Sequence, residues 1–221
     1  MKVIVHSSIS LDGSLLGFAV DMAAHYKIAA GFKAGIHLVG STTAAEGLRM
    51  LHRKLPREQE KDLVKPKANA KLPLWVIPDT SGKLKGKLHM LRRSRLCRDI
   101  VILTTNVTPK GYLRYLTERN YDWHYMGTRP LDYANVLELL AQEYGARRIL
   151  TDAGSTLNGI LLNRGLVDEL SLLVHPMVVG DPRAPLLGDV QPGIKLKLSK
   201  SRSVAGKLWL LYHVLKPGGR K

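Results

Sequence analysis

One segment in the last third of the chain combines residue types and a spacing that suit phosphate binding. A short apolar strand from Arg148 to Leu150 runs into a turn at 151–154, and Ser155 and Thr156 then open a short helix. The free amides and the positive dipole end of such a helix start attract an anion, and Gly154 lets the backbone approach it closely. Strand–turn–helix connections without a ligand are also common, so the spacing alone leaves both interpretations open.

Acidic residues that are able to take part in chemistry stand at three further places. Ser10 and Asp12 lie in the turn predicted after the first strand, and Asp21 opens the next predicted helix. A carboxylate at either place can orient a substrate or supply a proton. Both also have structural explanations, because Asp-Gly is a common turn pair and an acid in a first helical turn stabilises the dipole. The third place is Asp168–Glu169, where the acids either face a cleft or hold the loop before a strand.

Several site patterns are absent from the sequence. It has no Gly-x-Gly-x-x-Gly and no Gly-x-x-x-x-Gly-Lys followed by Ser or Thr, so neither a Rossmann site nor a P-loop is supported. The eight histidines are scattered, the zinc deaminase signature is missing, and we predict no metal site. His175 is expected to pack within a strand. Cys97 is the one cysteine, which excludes an intramolecular disulfide and suits a reducing cytoplasm.

Positive charge is concentrated in two regions. The formal net charge is +16, of which residues 49–98 carry a net +11 and residues 195–221 a net +8. Such clustering is consistent with nucleic-acid binding, but the aromatic residues that stack on bases are not interleaved with it. We favour a solvated basic surface that also attracts phosphorylated substrates.

The predicted elements alternate between strands and helices, with no internal repeat and no domain boundary. Predicted strands cover 3–8, 36–39, 74–78, 100–104, 123–126, 148–150, 170–174 and 208–214, and predicted helices cover 21–34, 42–55, 109–120, 131–144 and 155 to about 165. Residues 56–73 are predicted to be irregular, and a proline-rich loop is predicted to separate the last two strands. Alternation predicts an α/β fold, in which helices flank a mostly parallel central sheet with antiparallel C-terminal strands.

Length and composition allow one sizeable domain or two small ones. With 221 residues, 45% of them hydrophobic, the chain is long enough to bury a core, and we predict a single domain over 1–216 with a flexible basic tail at 217–221. No apolar run reaches the length of about 18 residues that a membrane span needs, and the N-terminus has no signal-peptide pattern. We therefore expect a cytoplasmic protein.

The segment after Leu150 resembles a known family, the reductase domain of riboflavin biosynthesis, whose fold is like that of dihydrofolate reductase. The residues that match the family pattern are Asp152, Gly154, Thr156, Leu157, Asn158, Gly165, Leu166, Val167, Asp168, Glu169, Pro176 and Gly180. Weaker matches follow the family order at 8–13, at 38–41 with Thr43, at 75–79 with Gly82, and at 100–105. Without the deaminase signature, the chain looks like the free-standing archaeal and fungal type.

The resemblance implies a reaction, a cofactor and a set of site residues. The reaction is NADPH-dependent reduction of 2,5-diamino-6-ribosylamino-pyrimidinone 5′-phosphate to its ribityl form, with hydride delivered from nicotinamide C4 to C1′ of the opened sugar. The implied cofactor-binding residues are Gly40, Thr43, Thr104, Thr105, Ala153, Gly154, Ser155, Thr156 and Leu157. The implied catalytic residues are Asp12, Asp21 and Glu169, with Ser10, Asp12 and Asp21 binding substrate. The resemblance also implies a homodimer.

Departures from the family pattern keep two alternatives open. Ala153 replaces a glycine at a junction that is often strained in this fold, and Ser14 stands where the family usually has lysine. Thr43 is not followed by the usual acid and proline. The alternatives are an NADPH reductase of the same fold that acts on another small molecule, and a non-enzymatic protein that binds nucleic acid.

Overall fold

The computed structural model describes residues 1–51, 56–65, 69–94, 96–180 and 184–216. The predicted end of the second helix at 52–55 and the predicted tail at 217–221 lie outside these residues. The strands are β1 (Lys2–Ser10), β2 (Ile36–Leu38), β3 (Leu74–Pro78), β4 (Asp99–Thr104), β5 (Asp122–Tyr125), β6 (Arg148–Thr151), β7 (Glu169–His175), β8 (Lys195–Val204) and β9 (Lys207–Leu215). The helices are α1 (Met22–Gly31), α2 (Ser41–Leu51), α3 (Leu88–Arg93), α4 (Lys110–Glu118), α5 (Tyr133–Tyr144) and α6 (Ser155–Asn163), with a 3₁₀ helix at Glu60–Leu63.

The chain forms two compact units. The first unit contains Met1–Ala34 and Arg147–Lys221, and the second unit contains the intervening segment Gly35–Ala146. The second unit is therefore an insertion in the sequence of the first. The single reductase domain expected over 1–216 stays a prediction.

The second unit is built on parallel strands in the order β5-β4-β3-β2. Its two middle strands, β3 and β4, are buried along nearly their whole length, as expected for parallel strands that are covered on both faces. Side chains that form its core include Val39, Leu48, Ile77, Leu84, Ile102, Tyr112 and Leu116. Helix α5 ends at Gly145 in the left-handed conformation (φ 60°), which glycine adopts readily at a helix end.

The first unit is built on strands in the order β6-β1-β7-β9-β8. Strand β1 pairs in parallel with both β6 and β7, whereas β9 runs antiparallel to β7 and β8 antiparallel to β9. Helix α1 contributes Ala24 and Ile28 to a core with Leu173, Trp209 and Leu211. Because β1, β6 and β7 are parallel, the residues that follow them gather at one edge of this sheet.

The prediction for the region before the last strand is wrong in one respect. The sequence predicts only a proline-rich loop there, but β8 occupies Lys195–Val204 and pairs with β9. The apolar alternation of β8 is interrupted by a register shift between Leu198 and Lys200, and nine of its ten residues are exposed. An exposed edge strand buries neither face in the core. Its sequence therefore lacks the sustained alternation of apolar and polar residues by which half-buried strands are recognised.

The predicted fold class is confirmed: parallel strands with helices, followed by antiparallel C-terminal strands. Two predicted helices extend too far, and both overruns contain a residue with left-handed backbone, Lys33 (φ 50°) after α1 and Asn120 (φ 53°) after α4. A left-handed residue cannot continue a right-handed helix. No helix formed by the described residues is both long and apolar enough to cross a membrane.

Candidate functional site

The N-terminus of α6 has the geometry of an anion site. Strand β6 ends at Thr151, and α6 begins at Ser155 after a three-residue connection. Gly154 is the N-cap, with φ −70° and ψ 173°, and no side-chain hydrogen bond caps this helix start. As a glycine, the N-cap offers no side-chain acceptor to the first amides of α6, and the dipole adds a positive potential. A phosphate group fits this position.

Neighbouring backbone groups fix this turn. The Asn158 side chain is buried, and its Nδ2 donates a hydrogen bond to the carbonyl oxygen of Ala153 at 3.0 Å. The amide of Gly188 donates to the carbonyl oxygen of Ser155 at 3.1 Å. A Cβ atom at 188 would lie only 3.2 Å from that oxygen, so the close approach favours glycine. The turn is thus held from both sides.

Ala153 occupies the place of a family glycine without left-handed backbone. Among the described residues, the non-glycine positions with positive φ are Lys33, Asn120 and Ala205. Ala153 and Leu157 are 5% and 7% exposed, so both side chains are buried. A ligand at this turn would contact these two residues through their backbone, and Ser155 and Thr156 are the more accessible members of the segment.

Asp12 is held in its turn by three hydrogen-bond donors. The Ser10 hydroxyl donates to Oδ1 at 2.5 Å, and the amide of Gly180 donates to Oδ2 at 2.7 Å. The amide of Val179 lies 3.2 Å from both carboxylate oxygens. The Ser10 hydroxyl, followed by these two amides, lowers the pKa of Asp12 to about 2. The residue therefore acts as an ionised carboxylate near neutral pH, and it is a poor proton donor.

The titration of Asp12 tests this arrangement. We expect a pKa of about 2 by NMR, and we expect it to rise toward 3.8 in Ser10→Ala. Because the pKa is lowered on folding, the stabilisation is present above about pH 4 and is lost as the pH falls through about 2. Ser14→Ala is the control, since that hydroxyl donates to the carbonyl oxygen of Leu16. A normal Asp12 pKa in the wild type would contradict the assignment.

Asp21 caps α1 and pairs with a lysine of β9. Its Oδ1 accepts from the Ala24 amide at 3.0 Å, and its Oδ2 lies 2.9 Å from Lys207 Nζ. Lys207 and then the Ala24 amide lower the pKa of Asp21, so this carboxylate is also ionised. The amide of Asp21 donates to His175 Nε2 at 3.1 Å, while His175 Nδ1 donates to the Leu173 carbonyl at 3.2 Å. His175 is thus a buried, hydrogen-bonded strand histidine, as predicted.

A buried network beside these carboxylates was missed by the sequence analysis. His25 is 3% exposed; its Nε2 donates to Asp152 Oδ2 at 3.1 Å, and its Nδ1 accepts from the Ser8 hydroxyl at 2.9 Å. Asp152 is the first residue of the connection between β6 and α6. No local pattern predicts this link, because His25 and Asp152 are 127 residues apart in the chain.

His6 lies under His25, with ring centroids 4.3 Å apart. Its Nε2 donates to the His25 carbonyl at 3.2 Å, and its Nδ1 accepts from the Ser171 hydroxyl at 3.0 Å. Trp209 Nε1 donates to the same hydroxyl at 2.9 Å. Burial, followed by repulsion from His25, lowers the pKa of His6 to about 4. This histidine is therefore neutral and structural.

Glu169 lies at the opposite end of β7 from the turn that holds Asp12. It begins β7 and pairs in register with Ile4, whereas His175 ends β7 and pairs with Ser10. Its carboxylate is buried and lies 2.6 Å from Lys2 Nζ. Next to it, Asp168 Oδ2 accepts from the Val3 amide at 2.8 Å and holds the loop in place. The structure does not bring Glu169 together with Asp12 or Asp21, and its catalytic role stays a prediction.

In the second unit, the predicted cofactor residues follow the strands β2 and β4. Gly40 directly precedes α2, and its carbonyl accepts from the Ala44 amide at 2.9 Å; Thr43 lies in the first turn of α2. Thr104 is fully buried, and its hydroxyl donates to the His124 carbonyl at 3.0 Å, a structural contact between β4 and β5. Thr105 is buried as well. Contacts of these four residues with a cofactor stay predictions.

The described residues also bear on metal binding and on the reactivity of the one cysteine. In the described part of the chain, no three His, Cys, Asp or Glu side chains are grouped in a way that could hold a metal ion. Burial raises the pKa of the Cys97 thiol to about 11, so this cysteine stays protonated near neutral pH.

Comparison with known protein families gives a match over nearly the whole chain. The family described as the RibD C-terminal domain matches residues 1–210. A 2,5-diamino-6-ribosylamino-4(3H)-pyrimidinone 5′-phosphate reductase from Methanothermobacter thermautotrophicus is 36% identical over 94 residues, which are 40% of this chain and 43% of that protein. A protein of the same name from Aquifex aeolicus is 24% identical over 88% of this chain and 85% of that protein.

Solved structures share the fold at low sequence identity. A pyrimidine reductase-like protein from Corynebacterium diphtheriae superposes with a TM-score of 0.72 at 17% identity, covering 97% of this chain and 92% of that one. RibD from Acinetobacter baumannii gives a TM-score of 0.69 at 18% identity, covering 97% of this chain but 58% of that longer one. These similarities establish the fold of the chain.

Proposed function

The chain belongs to the RibD C-terminal domain family, and we propose that it is a reductase of riboflavin biosynthesis that uses NADPH. Its proposed reaction converts 2,5-diamino-6-ribosylamino-4(3H)-pyrimidinone 5′-phosphate to the ribitylamino compound, as the names of two relatives suggest. The observation that carries the proposal is the start of α6 at a glycine N-cap, Gly154, in the same unit as the ionised carboxylates Asp12 and Asp21.

A nicotinamide cofactor fits the residues of the first unit. The amides at the start of α6 suit a pyrophosphate, because the N-cap is a glycine that lets a ligand approach closely and the helix start carries the positive end of the dipole. We propose that Gly154, Ser155 and Thr156 hold this group, while Ala153 and Leu157 shape the turn from inside. A bound reduced nicotinamide supplies the hydride that adds to C1′ of the substrate.

The carboxylates suit the charge that develops on the substrate. When the C1′–O4′ bond breaks, O4′ takes a proton and the nitrogen lone pair forms a cationic iminium at C1′. The hydride then neutralises this cation, so the reaction consumes one hydride and one proton. Because their pKa values are lowered, Asp12 and Asp21 are ionised and can stabilise the cation, but they are unsuited to donate the proton.

Asp152 is part of the same proposal through His25. Asp152 belongs to the turn between β6 and α6, and the buried His25 fixes its carboxylate by a hydrogen bond at 3.1 Å. We assign His25 as a positioning residue, because it is held between Ser8 and Asp152 inside the unit.

Replacing His25 is expected to lower kcat while leaving the affinity for NADPH nearly unchanged. In His25→Asn, we expect kcat to fall about tenfold, because Asp152 loses its fixed position, while the Kd for NADPH changes less than about threefold. The pH profile of kcat should also change shape. His124→Asn is the control, because His124 Nε2 bonds to the Tyr144 hydroxyl in the second unit. Equal losses in the two variants would mean that His25 acts only through stability.

Cofactor titration and turnover test the proposed function together. We expect one NADPH per chain to bind in the micromolar range, more tightly than NADH, and we expect its oxidation to depend on the ribosylaminopyrimidinone phosphate. NADPH binding without turnover of this substrate would point to another small molecule. Salt-sensitive RNA binding without cofactor affinity would point to a nucleic-acid-binding protein. A homodimer and a cytoplasmic location belong to the same proposal.

A further inference from the structure

A cavity lies in the first unit and reaches the end of the sheet opposite to Asp12. Its volume is about 730 Å³, within the range of about 300–1,000 Å³ that is typical of small-molecule sites. Lys2, Arg148 and Glu169, the first residues of β1, β6 and β7, contribute to its lining. Strand β1 separates this end from Ser10 by about 26 Å, at about 3.3 Å per residue. The Lys2 end of the cavity therefore lies far from the turn that holds Asp12, whereas Trp209 of its floor bonds Ser171, which also bonds His6.

Positive charge dominates the rim of this cavity. The charged side chains that line it are Lys2, Lys27, Arg148, Lys200, Arg202 and a single acid, Glu169. Lys2 neutralises Glu169 at 2.6 Å, and Arg148 donates to the Phe32 carbonyl at 3.1 Å. Lys27 and Lys200 are exposed, and neither has an ion-pair partner among the residues that the structure describes. A concave site with this charge concentrates anions.

The floor of the cavity is apolar. Ile4, Ile28, Trp209 and Leu211 are all less than 10% exposed and line it from below. The Arg202 guanidinium lies 4.4 Å from the centroid of the Trp209 ring, which covers one face of this ring. A bare inorganic anion would use only the rim, whereas an anion that carries an apolar ring would use the rim and the floor.

We propose that this cavity binds a nucleoside polyphosphate, with the base on the apolar floor and the phosphates between Lys27 and Lys200. The proposal also gives a role to part of the basic region 195–221, because Lys200 and Arg202 lie in it, on β8. An extended nucleic-acid strand fits less well, since the lining forms a single concave site of about 730 Å³ and not a continuous groove. The proposal does not depend on the reductase function.

Calorimetric titration with ATP tests the proposal, with and without saturating NADPH. We expect one ATP per chain to bind with a micromolar Kd that NADPH leaves unchanged. Lys27→Glu and Lys200→Glu should each weaken ATP binding about tenfold or more, because each replaces an attractive charge by a repulsive one. Lys197→Glu is the matched control, since Lys197 lies on the same strand outside the cavity lining and should change the Kd less than twofold.

Circular dichroism and thermal unfolding should show that the three variants fold alike, because all three positions are exposed. Absence of ATP binding, or its displacement by NADPH, would overturn the proposal. So would an equal effect of Lys197→Glu, which would indicate general surface charge. Inorganic triphosphate that binds as tightly as ATP would contradict the role of the apolar floor, and a single-stranded oligonucleotide that binds more tightly than ATP would favour an extended nucleic-acid surface.

Discussion

Ser155→Asp is expected to weaken NADPH binding on the order of 100-fold, because a fixed carboxylate would stand where the pyrophosphate is proposed to bind. Ser155 is the first residue of α6, directly after the N-cap Gly154. At a separation of about 4 Å and an effective dielectric constant of about 20, two like charges repel by about 4 kcal/mol. Solvent screening at the half-buried Ser155 reduces this repulsion, so we expect about 2.7 kcal/mol, which corresponds to 100-fold in Kd.

The same substitution should leave the fold intact or stabilise it. An acidic side chain in the first turn of a helix contributes about 0.3–1 kcal/mol through the dipole. Loss of cofactor binding together with an unchanged or higher Tm would therefore identify a binding defect. Ser155→Asn is the control, because it has the shape of the aspartate without its charge and should retain most of the affinity. Unchanged NADPH affinity in Ser155→Asp would place the pyrophosphate elsewhere.

Acidification is expected to destabilise the protein through His6. The pKa of this histidine falls from 6.5 to about 4 on folding because the ring is buried. The unfolded chain therefore binds the proton more tightly, so stability is complete above about pH 6.5 and declines as the pH falls toward about 4. For these two pKa values, the loss at about pH 5 is about 2 kcal/mol.

A variant isolates this contribution from the other histidines. His6→Gln retains an amide that can bond Ser171 and the His25 carbonyl, but it has no proton to gain. The decline in unfolding free energy between about pH 7 and about pH 5 should be smaller in the variant by about 2 kcal/mol. Direct NMR titration of the His6 ring covers the case in which the variant folds poorly. A His6 pKa near 6.5 would contradict the prediction.

The sequence was most informative where local chemistry specifies local structure. Apolar strands that are buried on both faces, such as β3 and β4, have continuous hydrophobic runs, and Gly145 marks a helix end by its left-handed backbone. The turn between β6 and α6 was predictable for the same reason, because Gly154 and Ser155 come a few residues after the end of a strand. By contrast, β8 was not predicted, because its side chains are exposed and none of them has to be apolar to pack in the core.

The contacts that complete the candidate site are those between distant parts of the chain. His25 bonds Asp152 across 127 positions, and the amides of Val179 and Gly180 bond Asp12 across 167 and 168 positions. Such pairs depend on which strands become neighbours, and no spacing within one segment records this. Glu169 shows the converse, since it matches the family pattern but begins β7 and so lies away from Asp12.

Isotope transfer tests the central claim most directly. The protein is incubated with the ribosylaminopyrimidinone phosphate and NADPH that carries deuterium at C4 of the nicotinamide, and the product is examined by mass spectrometry and NMR. We predict that the ribitylamino product carries one deuterium at C1′ and that NADP⁺ forms in equal amount. Unchanged substrate in the presence of bound NADPH, or a product without deuterium at C1′, would contradict the account.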